Sequence, residues 1–202
     1  AGKDGEEELG LHGLISNIPA DEVSSRVEWD EDTPRIVVSG SVKQAEVFGE
    51  HIVLKRQITL FGEKNELVIS DSVENRGLVS VPFMLLYHMN YGYPFISPSC
   101  QLHLPSCEIA ARDDQAKKHI DRWNIIEEPE DDAEEQVFFH KLQANENGNS
   151  SYYLINPEIE KGISVSYPSQ ALPWFTQWKC MRSGEYVLGL EPGNCHVLGR
   201  KK

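Results

Sequence analysis

Two apolar stretches of this chain end in groups that can move protons. Residues 83–95 read FMLLYHMNYGYPF, where large apolar side chains give way to an imidazole, His88, and an amide, Asn90, set among Tyr87, Tyr91, Tyr93 and Phe95. Side chains on a strand alternate faces, so His88 and Asn90 point the same way with Met84 and Leu86 behind them. One reading is a core histidine with both ring nitrogens bonded; the other is a proton-transfer group delivered to the mouth of a pocket. Residues 186–194 read YVLGLEPGN. Alternation puts Val187, Gly189 and Glu191 on one face and Tyr186, Leu188 and Leu190 on the other, with Pro192-Gly193 predicted as a closing turn. A carboxylate that ends an apolar strand is partly desolvated, and its pKa rises toward the range useful for a general base. A glutamate that merely marks a strand end has the same pattern.

Two further stretches carry possible ligand contacts. In Trp174–Lys179 (WFTQWK), Gln177 and Lys179 share one face and Trp174 and Trp178 the other. Indole rings cover the C–H faces of a sugar while amide and ammonium groups take its hydroxyls, although two core tryptophans beside a solvated Gln and Lys give the same spacing. In Leu11-His12-Gly13 the glycine permits close approach of a ligand or another backbone to His12.

The elements that must position these groups read as strands almost throughout. Arg35–Val42 and His51–Phe61 are rich in β-branched residues, and in the second Ile52, Leu54, Ile58 and Leu60 alternate with Lys55, Gln57 and Thr59. Gly62-Glu63-Lys64-Asn65 predicts a hairpin turn into Glu66–Glu74, and Asn75-Arg76-Gly77 a turn into a strand over Val79–Met89. Further strands are predicted over Glu108–Arg112, Gln136–Leu142, Ser151–Ile155, Gly162–Tyr167, Trp174–Cys180 and Tyr186–Glu191, and a single helix within Asp114–Trp123. Glu127–Gln136 (EEPEDDAEEQ) reads as a solvated connection and Asn145–Ser150 as a turn. Short, regularly spaced strands between Gly, Pro and Asn signals predict an all-β antiparallel sandwich, one domain over residues 1–202.

Composition narrows the class of partner. The formal net charge of the 202 residues is −13, without the basic footprint that a nucleic-acid binder uses to displace counterions; the closing Arg200-Lys201-Lys202 is too short to supply one. A neutral ligand such as a sugar suits this field. Cys100, Cys107, Cys180 and Cys195 match neither a disulfide framework nor a tight metal-ligand spacing and read as reduced thiols. His88 and His103 do not supply the close histidine pair of a metal-holding β-sandwich, so neither metal nor other cofactor is expected. Ala1–Gly10 is acidic rather than signal-like, and no apolar run approaches a membrane span, so a soluble cytoplasmic protein with no membrane partner is expected.

Taken together, LHGLISNIPA, YHMNYGYP, WFTQWK and YVLGLEPGN resemble, in order and form, the aldose 1-epimerase (galactose mutarotase)-like proteins, in particular their DUF4432 branch, over Leu11 to about His196. The resemblance implies a galactose mutarotase-like β-supersandwich with a sugar site on its concave face. It implies an isomerase that interconverts the anomers of a free or modified sugar, with Glu191 as base, His88 as acid and His12 as a second histidine at the ring oxygen or a neighbouring hydroxyl. A non-catalytic carbohydrate-binding or regulatory module is the alternative. The family also holds sugar hydroxyls with an aspartate and an arginine, for which Asp121 and Arg112 are the candidates here; Asn90, Gln177, Lys179 and Trp178 complete the expected sugar contacts. His12 lies near the family's middle strands and the chain stops soon after Glu191, which predicts a form truncated at both ends. Sheet edges left open in this way invite pairing, so a homodimer is expected.

Overall fold

A computed structural model describes residues 2–4, 7–10 and 12–198 of the chain. Leu11, part of Ala1–Gly10, and the closing Arg200-Lys201-Lys202 lie outside the described residues. The chain forms two compact units, Ala1–Phe83 and Met84–Lys202. Among the described residues no helix is long and apolar enough to cross a membrane.

The first unit holds β1 (Gly2–Asp4), β2 (Glu7–Leu9), β3 (Asp21–Asp30), β4 (Thr33–Ala45), β5 (His51–Phe61) and β6 (Leu67–Asn75). β1 pairs with β2, and β3-β4-β5-β6 form an antiparallel meander. β4 and β5 coincide with the predicted β-branched runs, and Gly62–Asn65 makes the predicted turn between β5 and β6. β3 carries five charged residues among ten (DEVSSRVEWD) and escaped the hydrophobic pattern. Its partner fixes it instead, with Val27 opposite Ile36 and Arg35 bonded to Glu28 at 2.7 Å. The predicted strand over Val79–Met89 is a correction: this segment is irregular, and the strand begins only at Met89.

The second unit holds β7 (Met89–Gly92), β8 (Gln101–His103), β9 (Ser106–Ala111), α1 (Asp114–Lys117), β10 (Gln136–Leu142), β11 (Asn149–Asn156), β12 (Lys161–Pro168), β13 (Trp174–Cys180) and β14 (Val187–Gly193). A five-stranded antiparallel sheet runs β7-β14-β13-β10-β9 and a three-stranded one β12-β11-β8. The predicted helical segment reduces to α1 and a 3-10 turn, Ile120–Arg122, with Asp113 capping α1 through the amide of Ala116. The β10–β11 turn follows its sequence signal: the Asn145 side chain accepts from the amides of Asn147 and Asn149, and Gly148 takes φ +76°.

One face of the five-stranded sheet packs against the three-stranded sheet to make the core. Tyr91, Phe175, Leu188 and Leu190 meet Leu102, Tyr152, Leu154 and Tyr167 there. Burial of each large apolar side chain contributes about 1.5–3 kcal/mol. Within this apolar layer a 2.8 Å bond between the hydroxyls of Tyr91 and Tyr152 ties β7 to β11.

Candidate active site

Antiparallel register decides which side chains share the opposite face of the five-stranded sheet. Thr176 stands opposite Glu191, Trp178 opposite Gly189, and Gly189 opposite Asn90. The irregular segment ahead of β7 is tied to the end of β14 by three backbone contacts. Tyr87 N–H donates to the Pro192 carbonyl at 2.9 Å, Asn194 N–H to the Leu85 carbonyl at 2.9 Å, and Leu86 bridges Gly193. The Asn194 side chain also accepts from Leu85 N–H at 2.7 Å. β14 therefore runs on through Pro192-Gly193, where the sequence predicts a turn. Pro192 needs no donor because only its carbonyl is used.

This fastening carries His88 to Glu191. His88 Nε2 lies 3.1 Å from Glu191 Oε1, with the imidazole 29% exposed and the carboxylate side chain 4% exposed. Oε1 is buried without a hydrogen bond among the described residues. Burial pushes the Glu191 carboxyl up from 4.5 to about 7. A buried carboxyl with one oxygen left without a hydrogen bond is poised to exchange a proton near neutrality.

Trp178 forms the neighbouring wall. Its ring meets the His88 imidazole edge-on, with centroids 5.8 Å apart at 71°. Trp178 Nε1–H donates to Glu135 Oε2 at 3.1 Å, and Arg112 donates to Glu135 Oε1 at 2.7 Å and to Asp113 Oδ2 at 2.8 Å. The Arg112 bond holds the Glu135 carboxyl below its ordinary value, as the Ala116 amide, then Arg112, do for Asp113. Arg112 thus reaches the site face through Glu135 and the indole. Glu135 lies in the acidic run that reads as a solvated connection; its position just before β10 is the signal that it could be folded back onto the sheet.

Within the second unit, Gln177, Lys179 and Asp121 are placed elsewhere. Gln177 and Lys179 lie on the face opposite Glu191, both fully buried. Gln177 Oε1 accepts from His140 Nε2–H at 3.0 Å, and Gln177 Nε2 donates to the Trp123 carbonyl at 2.8 Å. Lys179 Nζ donates to Glu127 at 2.8 Å and to the carbonyls of Ile125 and Arg122 at 2.7 and 3.4 Å. Asp121 is exposed in the 3-10 turn whose next residue, Arg122, offers its carbonyl to Lys179, and so belongs to that opposite side. His12 belongs to the first unit, in the turn before a 3-10 helix at Ile15–Asn17. Among the described residues no three His, Cys, Asp or Glu side chains form a group that could hold a metal ion.

Residues 1–202 match the family described as "Domain of unknown function (DUF4432)". The chain belongs to this family. A crystal structure of a "putative aldose 1-epimerase" from Klebsiella pneumoniae superimposes on this DUF4432 chain with a TM-score of 0.87 at 26% identity, covering 93% of the chain. The DUF4432 chain spans 49% of that structure's length. No curated protein sequence matches it. The fold of the described residues is all-β, antiparallel and galactose mutarotase-like.

Proposed function

We propose that this DUF4432 protein is an isomerase of the aldose 1-epimerase type, interconverting the anomers of a free or modified sugar. The observation that carries the proposal is the 3.1 Å approach of His88 Nε2 to a buried Glu191 Oε1. The two oxygens that exchange protons in mutarotation are both bonded to the anomeric carbon. Acid and base must therefore sit side by side, as this pair does.

In the forward step Glu191, ionised, removes the proton of the anomeric hydroxyl, and that oxygen becomes the aldehyde carbonyl. The bond from the anomeric carbon to the ring oxygen breaks, and the ring oxygen takes its electron pair and a proton from the His88 imidazolium. Rotation about C1–C2 presents the other carbonyl face. Closure returns one proton to His88 and one from Glu191 to the anomeric oxygen, so both residues end as they began. Trp178 offers an apolar wall to the C–H face of the sugar, with Asn90 beside it on the same face. A neutral sugar fits the acidic chain, and four unpaired cysteines support a reducing, cytoplasmic setting.

Anomer exchange measured by NMR on a panel of free aldoses tests this reading. We expect acceleration for at least one sugar, reduced about 10²–10⁴-fold by Glu191→Gln and by His88→Ala, the range typical of a lost proton-transfer group. A sugar that binds without acceleration would replace the isomerase with a carbohydrate-binding module.

A further inference from the structure

The glycine two residues before Glu191 has an environment unlike an ordinary strand position. A Cβ on Gly189 would stand 2.7 Å from Glu191 Oε1, 3.2 Å from Trp178 Cε3 and 3.4 Å from His88 Cε1. Real Cβ atoms do not approach an oxygen so closely, so the carboxylate could not keep its place beside a larger residue. Backbone conformation does not require the glycine, since its φ lies outside the positive range. Three side chains converge on the missing methyl, and they are the base, the acid and the aromatic wall of the site.

We infer that Gly189 is a positioning residue for the proposed isomerase: its lack of a side chain makes the space in which the Glu191 carboxylate lies against His88 and Trp178. The inference rests on the assignment of Glu191 and His88 as the proton-transfer pair, and it adds a determinant outside that pair. Glu191 and Gly189 point the same way because they are two apart on β14, while Trp178 faces Gly189 directly across from β13. Any side chain at 189 therefore enters the site instead of the core, and displaces Oε1 from its buried place.

The test compares wild type, Gly189→Ala and the double variant Gly189→Ala with Glu191→Asp. Two readouts are taken: NMR titration of the Glu191 carboxyl, which needs no turnover, and anomer exchange. Gly189→Ala is expected to move the titration midpoint down from near 7 by a unit or more toward the ordinary carboxylate value, and to slow exchange at least tenfold. The shorter aspartate withdraws the carboxylate from the new methyl, so the double variant is expected to exchange no more slowly than Glu191→Asp alone. An unchanged midpoint and unchanged exchange in Gly189→Ala would overturn the inference, as would strictly additive losses in the double variant. Should Gly189→Ala not fold, relief of the same contact predicts that the double variant folds, and failure of both variants to fold overturns the inference too. A wild type that exchanges no sugar but shows the shifted midpoint in Gly189→Ala would sink the isomerase and leave the positioning role standing.

Discussion

Two buried titratable groups on opposite faces of the five-stranded sheet, His140 and Glu191, are held under opposite conditions. On the core face His140 is 2% exposed, with Nδ1 bonded to the Ser106 hydroxyl at 2.9 Å and Nε2 to Gln177 at 3.0 Å. Gln177 and Lys179 beside it are matched by carbonyls of the 122–125 segment and by Glu127. Burial lowers His140 to about 4 against the opposing pull of the Gln177 bond, so it stays uncharged through the physiological range. On the other face Glu191 is equally buried, yet Oε1 has no hydrogen bond among the described residues and the His88 imidazole stands 3.1 Å away. A buried polar group that is fully bonded is part of the scaffold, because changing its charge costs the whole network. A buried group left with one titratable neighbour can change its charge at little cost, and that is what proton transfer requires. The difference between a structural and a chemical polar residue here lies in how far each is satisfied, not in how deeply it is buried.

The comparison can be broken at three levels. Lys179→Met removes the one cation that answers Glu127 and two carbonyls, and should cost about 3–5 kcal/mol, the usual result of leaving a buried pair half empty. Equilibrium denaturation measures it.

Next come the pH slopes, which run in opposite directions. Glu191 has a folded pKa of about 7 against 4.5 unfolded, so the native state holds the extra proton between these values. Its contribution to stability is full below about 4.5 and is lost as pH rises through 7, on the order of 3 kcal/mol. Glu191→Gln should therefore gain on wild type over that window. His140 has a folded value of about 4 against 6.5 unfolded, so its contribution is present above 6.5 and is lost as pH falls toward 4, by a similar amount. Unfolding at pH 4.5, 5.5 and 7 in wild type, Glu191→Gln and His140→Gln separates the two slopes. The smallest effect is expected from Trp178→Phe, which keeps an aromatic wall but loses the bond to Glu135. One such bond is worth about 0.5–1.5 kcal/mol, so kcat/KM for the exchanged sugar should fall by no more than about tenfold.

Much of the site face was readable from alternation alone. Glu191 with Gly189 on one face of a strand, His88 with Asn90 on one face of another, and the indoles opposite Gln177 and Lys179 all follow from a period of two. Alternation cannot say which of two faces is the site. For WFTQWK that depended on the register that sets Trp178 against Gly189 and Gln177 against Leu190, a pairing between separate strands. Gln177 and Lys179 look solvated in sequence because their partners come from residues 122–127, some 50 positions away. β3 was hidden for the same reason, its charged side chains being paired only once β4 lies alongside. His88 was found, but as the end of a long strand. The structure instead holds it on an irregular segment fastened to β14, a geometry set by Asn194 and the Pro192 carbonyl.

The most direct test measures anomer exchange and unfolding free energy on the same preparations of wild type, Glu191→Gln and Lys179→Met, near neutral pH. The two-face account predicts a crossed result: Glu191→Gln loses exchange by about 10²–10⁴-fold without losing stability, while Lys179→Met loses stability and keeps its exchange rate per folded molecule. Exchange that survives Glu191→Gln, or that collapses in folded Lys179→Met, would contradict it.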